Sequence, residues 1–249
     1  MPESDDQVND LIDKIYPHVD NLNNISDNKR WRYFSERVIL AAKNSDVDVL
    51  NEMTLDRLEG QEKIYHSADE AFNDGGVPDD SVSHEYLNTI VVSGMPLHRT
   101  ILKIGAPILL LRNLDPPGGL CNGTRLIITA LGERVIEGKI LTGTHVGKAA
   151  FIPRISLDTS ASSGLPFTLR RRQFPIRLAF AMTINKSQGQ SLKVVGVHLL
   201  NPVFAHGQLY VAISRATDCR QIYISLPTNA NLITDNIVYS EVFPNVINS

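Results

Sequence analysis

The sequence predicts an α/β fold interrupted by a small β-barrel. Two observations point there. Apolar runs suited to buried parallel strands stand on both sides of the chain's middle, at Val38–Ala41 and at Leu178–Ile184 and Val194–Leu199. Between them, Lys103 to Asp158 breaks into short β-type runs separated by turns, the pattern of a small barrel. The chain has 249 residues, 43% hydrophobic and 20% charged, enough apolar material to bury a core of one large domain or two small ones.

In chain order, residues 1–35 are a polar, Asn/Asp-rich lead-in with a short helix around Leu11, Ile12 and Ile15. Val38–Ala41 reads as a strand. Asn44 and Ser45 offer an N-cap to a helix carrying Val47, Leu50, Met53 and Leu58, with Asp46 and Asp48 in its first turn. Strand then helix is half of a βαβ unit. Residues 66–85 read as an acidic loop containing Gly-Gly and Pro. Then come the runs APILLLR, RLIITAL, RVIEGKIL and AAFIPRISL, a Ser/Gly-rich loop, and Arg170-Arg171-Arg172. Past the apolar run at Leu178, Asn185 to Gln190 is a polar loop, Val194–Leu199 a strand, LYVAISRA a helix and Gln221–Leu226 a further strand. The expected division is an α/β domain over 36–102 and 175–227, centred on 36–65 and 175–227, an inserted barrel over 103–174, and a tail over 228–249.

Several classes are excluded. No apolar run approaches the ~20 residues of a membrane span, and the acidic start MPESDDQVND does not read as a signal peptide. Two cysteines, Cys121 and Cys219, make neither a disulfide framework nor a cysteine-built zinc site and favour a reducing compartment. The seven histidines lack metal-binding spacing, so no metal is expected in this chain, and no GxSxG occurs. Gly143–Ala149 comes near a Walker A loop but is one residue short. It ends in Ala149 without a hydroxyl and lies between two β-runs, so it reads as a hairpin turn. Charge is uneven: residues 1–100 hold 20 acidic and 9 basic side chains, net −11, and residues 101–249 hold 7 and 15, net +8. A phosphate-bearing partner would meet the second part, although solvated faces also differ by chance.

Two segments gather the polar chemistry, AMTINKSQGQSL (181–192) and HGQLYVAISRAT (206–217). In the first, a strand runs into a loop with one cation, hydroxyls, amides and a glycine, which is either a phosphate contact or a polar turn. In the second, Arg215 closes an apolar helix, either as a C-terminal cap or aimed at an anion.

These segments resemble motifs V and VI of superfamily-one helicases. The wording is similar to the Pif (petite integration frequency) family, especially the helicase part of Helitron transposons. The likeness continues through FSERVILAAKNSDVDVLNEMTLDRL, KIGAPILLLRNLDPPGGLCNGTRLI and LPFTLRRRQFPIRLAF, over about residues 34–227. It implies an ATP-driven helicase moving 5′-to-3′ on single-stranded DNA, with ATP and Mg2+ between two RecA-like domains and a Src-homology-three-like barrel inserted in the second. Such enzymes act in DNA repair, recombination, telomere maintenance or transposition, in the nucleus or mitochondrion.

The resemblance assigns Arg215 as arginine finger, with Gln188 and Gly189 on the nucleotide side. Thr183, Asn185, Lys186 and Ser187 would meet the DNA backbone or couple it to the nucleotide. Many relatives have His where this chain has Asn185. Arg170, Arg171 and Arg172 would line the DNA channel, or form a solvated turn or nuclear-import patch. The Walker A lysine, Walker B acid and motif III sensor have no counterpart in this sequence. The expectation is therefore the C-terminal part of a helicase, binding no nucleotide or Mg2+ alone, with single-stranded DNA and the missing RecA-like domain as partners. A non-enzymatic single-strand-binding module and a truncated transposon relic are the alternatives.

Overall fold

In the computed structural model, residues 2–24, 26–73, 75–227 and 233–239 are described. The chain opens with helices α1 (Pro2–Ile15) and α2 (Asp27–Ser35), strand β1 (Arg37–Ala41) and helix α3 (Asn44–Arg57). Next come β2 (Lys63–His66), β3 (Ala68–Phe72), α4 (His84–Thr89), β4 (Arg99–Leu102) and β5 (Pro107–Leu110). They lead into β6 (Arg125–Leu131), β7 (Val135–Ile140), β8 (Ala149–Pro153), β9 (Ile155–Asp158), β10 (Thr168–Gln173) and β11 (Ile176–Leu178). Last are β12 (Ala181–Thr183), β13 (Val194–His198), α5 (Gln208–Ile213) and β14 (Ile222–Ser225). Two compact units result, residues 1–59 with 180–249, and residues 60–179.

The first unit is built on a parallel sheet in the order β12-β1-β13-β14. Val38 to Ala41 of β1 are fully buried, as an all-apolar run in a parallel sheet must be. Val38, Leu40, Val195 and Val197 share one face and pack with the partly buried Leu209 and Val211 of α5. On the other face α1 lies close over β13. A Cβ on Gly196 would stand 2.8 Å from Ile15 Cγ1, so this approach requires glycine. An aromatic cluster closes that side: Phe180 meets Tyr16 and Phe34 edge-on at 5.9 and 5.6 Å, and the Tyr16 hydroxyl donates to the Phe180 carbonyl at 2.6 Å. Leu11, Ile12, Ile15, Tyr16 and Phe34 of the expected lead-in are therefore part of this core.

The second unit holds a five-stranded antiparallel sheet, β11-β5-β6-β7-β8, a three-stranded one, β3-β10-β9, and the pair β2-β4. Its boundaries differ from those expected. Residues 60–102 and 175–179 fold with the inserted part. The apolar run from Leu178 to Ile184 divides between β11 and β12, which lie in different sheets. The acidic stretch after His66 contains β3, paired with β10 from Phe72↔Thr168 to Ala68↔Arg172. Helix α3 starts at Asn44 behind Lys43, and no side chain caps it. Gly143–Lys148 connects β7 to β8, and the Gly147 N–H bonds to the Ile140 carbonyl, a hairpin connection. Most of the expected tail, 228–232 and 240–249, lies outside the described residues.

Candidate functional site

Strand β12 is three residues long and ends the sheet on one side. Its outward backbone groups at Ala181 meet the side chain of Asn51 from α3. Asn51 Nδ2 donates to the Ala181 carbonyl at 3.2 Å and Oδ1 accepts from the Ala181 N–H at 2.8 Å. Asn51 is buried and replaces the missing neighbour strand. Nothing in the hydrophobic periodicity marked it. A polar residue at a core position of a helix is the signal that could have.

From this anchored strand the chain enters a 3-10 turn, Ile184–Ser187. Ser187 is fully buried, and its hydroxyl donates to the Ile184 carbonyl at 2.6 Å. The hydroxyl closes the turn and faces no solvent, which leaves Ser187 the coupling role of its two expected ones and not direct contact with DNA. Asn185, Lys186, Gln188 and Gly189 are exposed, and Thr183 is half-buried. Gly189 takes φ +82°, a left-handed conformation natural to glycine. The Gln190 N–H then returns to the Ser187 carbonyl at 3.0 Å.

The second segment joins the first directly. Leu192 and Ala216 form a parallel bridge, and the Leu192 N–H donates to the Arg215 carbonyl at 2.9 Å. Arg215 lies two residues beyond α5, half-buried. Its Nε donates to the Val211 carbonyl at 2.9 Å, Nη1 to the Gln190 carbonyl at 3.2 Å, and Nη2 to Ser214 Oγ at 2.8 Å. Sequence reasoning missed the Gln190 carbonyl, a backbone group that no residue pattern announces. The guanidinium is thus held by the end of its own helix and by the loop of the first segment. It offers a fixed cation beside exposed amide and ammonium donors, suited to anions. For a nucleotide the fit is one-sided. Arg215 can meet a terminal phosphate once its present acceptors are exchanged, but among the described residues no group of three metal-ligating side chains occurs to hold a cation.

The three arginines expected at DNA belong to the second unit and have three different fates. Arg170 makes a bidentate pair with Asp158 at 2.7 and 2.8 Å. Arg172 is exposed. Arg171 is 1% exposed and donates to Asp69 and to the carbonyls of Leu87, Ile90 and Pro96 at 2.7–3.1 Å. Its assignment to the DNA channel is corrected: strand alternation turns it into the core while its neighbours face out.

Residues 85–131 match the family model described as "DNA helicase Pif1, 2B domain". The zebrafish (Danio rerio) ATP-dependent DNA helicase PIF1 is 33% identical over 178 residues, covering 71% of this chain and 25% of that protein. The human PIF1 is 32% identical over 181 residues, with the same coverage of each. This chain is related to the C-terminal region of Pif1-type DNA helicases. It spans about a quarter of the length of these relatives. Among solved structures, the Candida albicans Pif1 helicase gives a TM-score of 0.58 at 22% identity, covering 94% of this chain and 55% of that one. The Bacteroides Pif1 complex with ADP-AlF3 and ssDNA gives 0.59 at 20% identity, covering 98% and 53%. At that identity the Pif1 structures speak for the fold, which is α/β with mixed sheets.

Proposed function

We propose that this chain is the second motor part of a Pif/Helitron-type helicase, which moves 5′-to-3′ on single-stranded DNA and uses ATP with Mg2+ when the first part is present. The observation that carries this reading is the hold of Arg215 on the Gln190 carbonyl. It joins the two segments that resemble motifs V and VI into one site. The parallel sheet of the first unit fits a RecA-like domain, and the antiparallel strands of the second fit the Src-homology-three-like insertion. Arg215 acts as the arginine finger, Gln188 and Gly189 stand near the nucleotide, and Thr183, Asn185 and Lys186 near the DNA backbone. The relatives' names and the ligands in the Bacteroides complex support the substrate classes.

The chain alone carries no phosphate loop and is expected to hydrolyse no ATP, because phosphoryl transfer depends on positioning by that loop, its lysine and the metal. With a first RecA-like domain supplied, fused upstream or added from a close relative, turnover should appear. Arg215→Ala should then lower it by about 10³–10⁵. Arg215→Lys should rescue poorly, since a point charge lacks the planar fork. Arg220, bound at the surface to Asp218 at 2.8 Å, is the control, and Arg220→Ala should be nearly silent. Turnover within a few-fold of the parent in Arg215→Ala would overturn the reading.

A further inference from the structure

The helix that leads to Arg215 is too short to hold itself. Helix α5 has six residues, and no side chain caps its start, where Gly207 takes φ +69°. A helix of this length has no stability of its own in water, so its geometry is set by what grips its two ends. Arg215 grips the far end through the Val211 and Gln190 carbonyls, and the Leu192 N–H adds a bond to the Arg215 carbonyl. The near end is gripped by the C-terminal tail, to which the sequence assigns no role.

Residues 233–239 come back to this entrance. The Gly207 N–H donates to the Ile237 carbonyl at 3.2 Å, and the Tyr239 N–H donates to His206 Nδ1 at 2.9 Å. The Tyr239 ring stacks on the His206 imidazole, with centroids 5.4 Å apart and planes at 26°. Ile237 packs against the core cluster that contains Val203 and Ala212. Val238 beside it is 51% exposed, so the tail has one side against the protein and one in solvent. Hydrogen bonds then run in series from the tail to the arginine. The Ile237 carbonyl accepts from the Gly207 N–H, the Gly207 carbonyl from the Val211 N–H at 2.9 Å, and the Val211 carbonyl from Arg215 Nε at 2.9 Å. Gly207 and Val211 each give their N–H to one bond and their carbonyl to the next. The Val211 carbonyl, which holds the guanidinium, therefore takes its place from the tail as well as from the helix.

We infer that His206 and the tail residues Ile237 and Tyr239 are positioning residues for Arg215: the tail clamps the start of α5 and so fixes the guanidinium beyond its end. The catalytic consequence rests on the arginine-finger reading of Arg215 proposed above. The clamp itself does not.

The test has two arms. In the full chain, phenylglyoxal modification of Arg215 is followed by peptide mapping, and amide exchange at Val211 by NMR. Asn places its Oδ1 where His206 has Nδ1 and keeps an acceptor for the Tyr239 N–H, whereas Leu has the same shape and no acceptor. In His206→Leu both rates should rise about fivefold, the shift that losing one neutral hydrogen bond brings. His206→Asn should restore the parent's rates, and Val238→Ala, on the tail's solvent side, should leave them unchanged. Arg220, paired with Asp218 outside this series of bonds, reports on the reagent and should react equally in every variant. Rates in His206→Leu within about twofold of the parent, less than one lost hydrogen bond would bring, overturn the inference, as does an equal rise in Val238→Ala. In the second arm the chain is joined to a first RecA-like domain. His206→Leu should lower kcat severalfold with KM for ATP and DNA unchanged, and His206→Asn should recover it, since the interaction lost is one made in the transition state. Full turnover in His206→Leu beside lost turnover in Arg215→Ala sinks the positioning role and leaves the proposed function standing. Faster Arg215 modification in His206→Leu beside turnover that survives Arg215→Ala keeps the clamp and sinks the arginine-finger reading.

Discussion

Arg171 shows how one buried side chain can organise its surroundings. Its donors tie β10 to Asp69 of β3 and to three carbonyls around α4, at Leu87, Ile90 and Pro96. Leu87 lies in the short helix α4 while Ile90 and Pro96 lie in the irregular backbone after it, so the guanidinium ties the end of that helix and the loop beyond it to β10. Ser67 adds to the network, its hydroxyl donating to Asp69 at 2.6 Å beside His98 Nδ1 at 2.8 Å. Removing one member of such a pair leaves an uncompensated charge inside, at a cost of about 3–5 kcal/mol. Arg171→Ala and Asp69→Ala should each destabilise residues 60–179 by that order, read as a lower denaturation midpoint at unchanged slope. Arg171→Met with Asp69→Leu should recover part of the loss, because no charge then stays buried. Single variants that unfold at the parent's midpoint would show that the network is dispensable. The same residue explains why the triple-arginine run misled sequence reasoning: three like charges in a strand occupy two faces, and composition cannot say which face is the core.

At the scale of elements, the apolar runs were readable because burial in a sheet demands them. RLIITAL became β6 residue for residue, and the Val38–Ala41 run became β1 with Arg37 added at its start. What stayed hidden were the elements whose partners are polar. Strand β3, ADEAF, reads as acidic loop until Asp69 is seen against Arg171. The break at Ala179–Phe180 is invisible in a continuous apolar run, since both halves are buried. Strand β12 is the shortest anchor of the candidate site, and Asn51 holds its open side. Asn51→Leu would keep the volume roughly but strip the Ala181 N–H and carbonyl of partners, each costing about 1–3 kcal/mol when left buried. The expected result is a loss of about 2–3 kcal/mol by denaturation and fast amide exchange at Ala181. Unchanged protection of that amide would refute the anchoring role. In the candidate site, resemblance singled out the loop and Arg215, which the structure brings together. It did not identify Asn51 or the Gln190 carbonyl, because both act through backbone geometry.

Across the whole molecule, the charge imbalance along the sequence does not follow the two units, since each contains parts of both halves of the chain. A shared feature is instead one shielded histidine in each unit. Burial holds the His98 imidazole below the usual histidine range; Asp69 pulls it back up, while Arg171 and His66 push it further down. Burial likewise lowers His198, partly offset by Asp46, and among the described residues its Nδ1 has no hydrogen-bond partner. With a depressed folded-state pKa, each ring binds its proton more readily after unfolding. The stability this gives is complete above the unfolded value of about 6.5 and is lost as pH falls from there to the folded value. Stability should therefore decline from about pH 7 towards pH 5, before the carboxylates dominate acid unfolding. His98→Gln should flatten that slope for the 60–179 unit and His198→Asn for the other, and both changes together should nearly abolish it. Urea denaturation midpoints at half-unit pH steps give the readout. A double variant that keeps the parent's slope across this window would mean that other groups take up the protons.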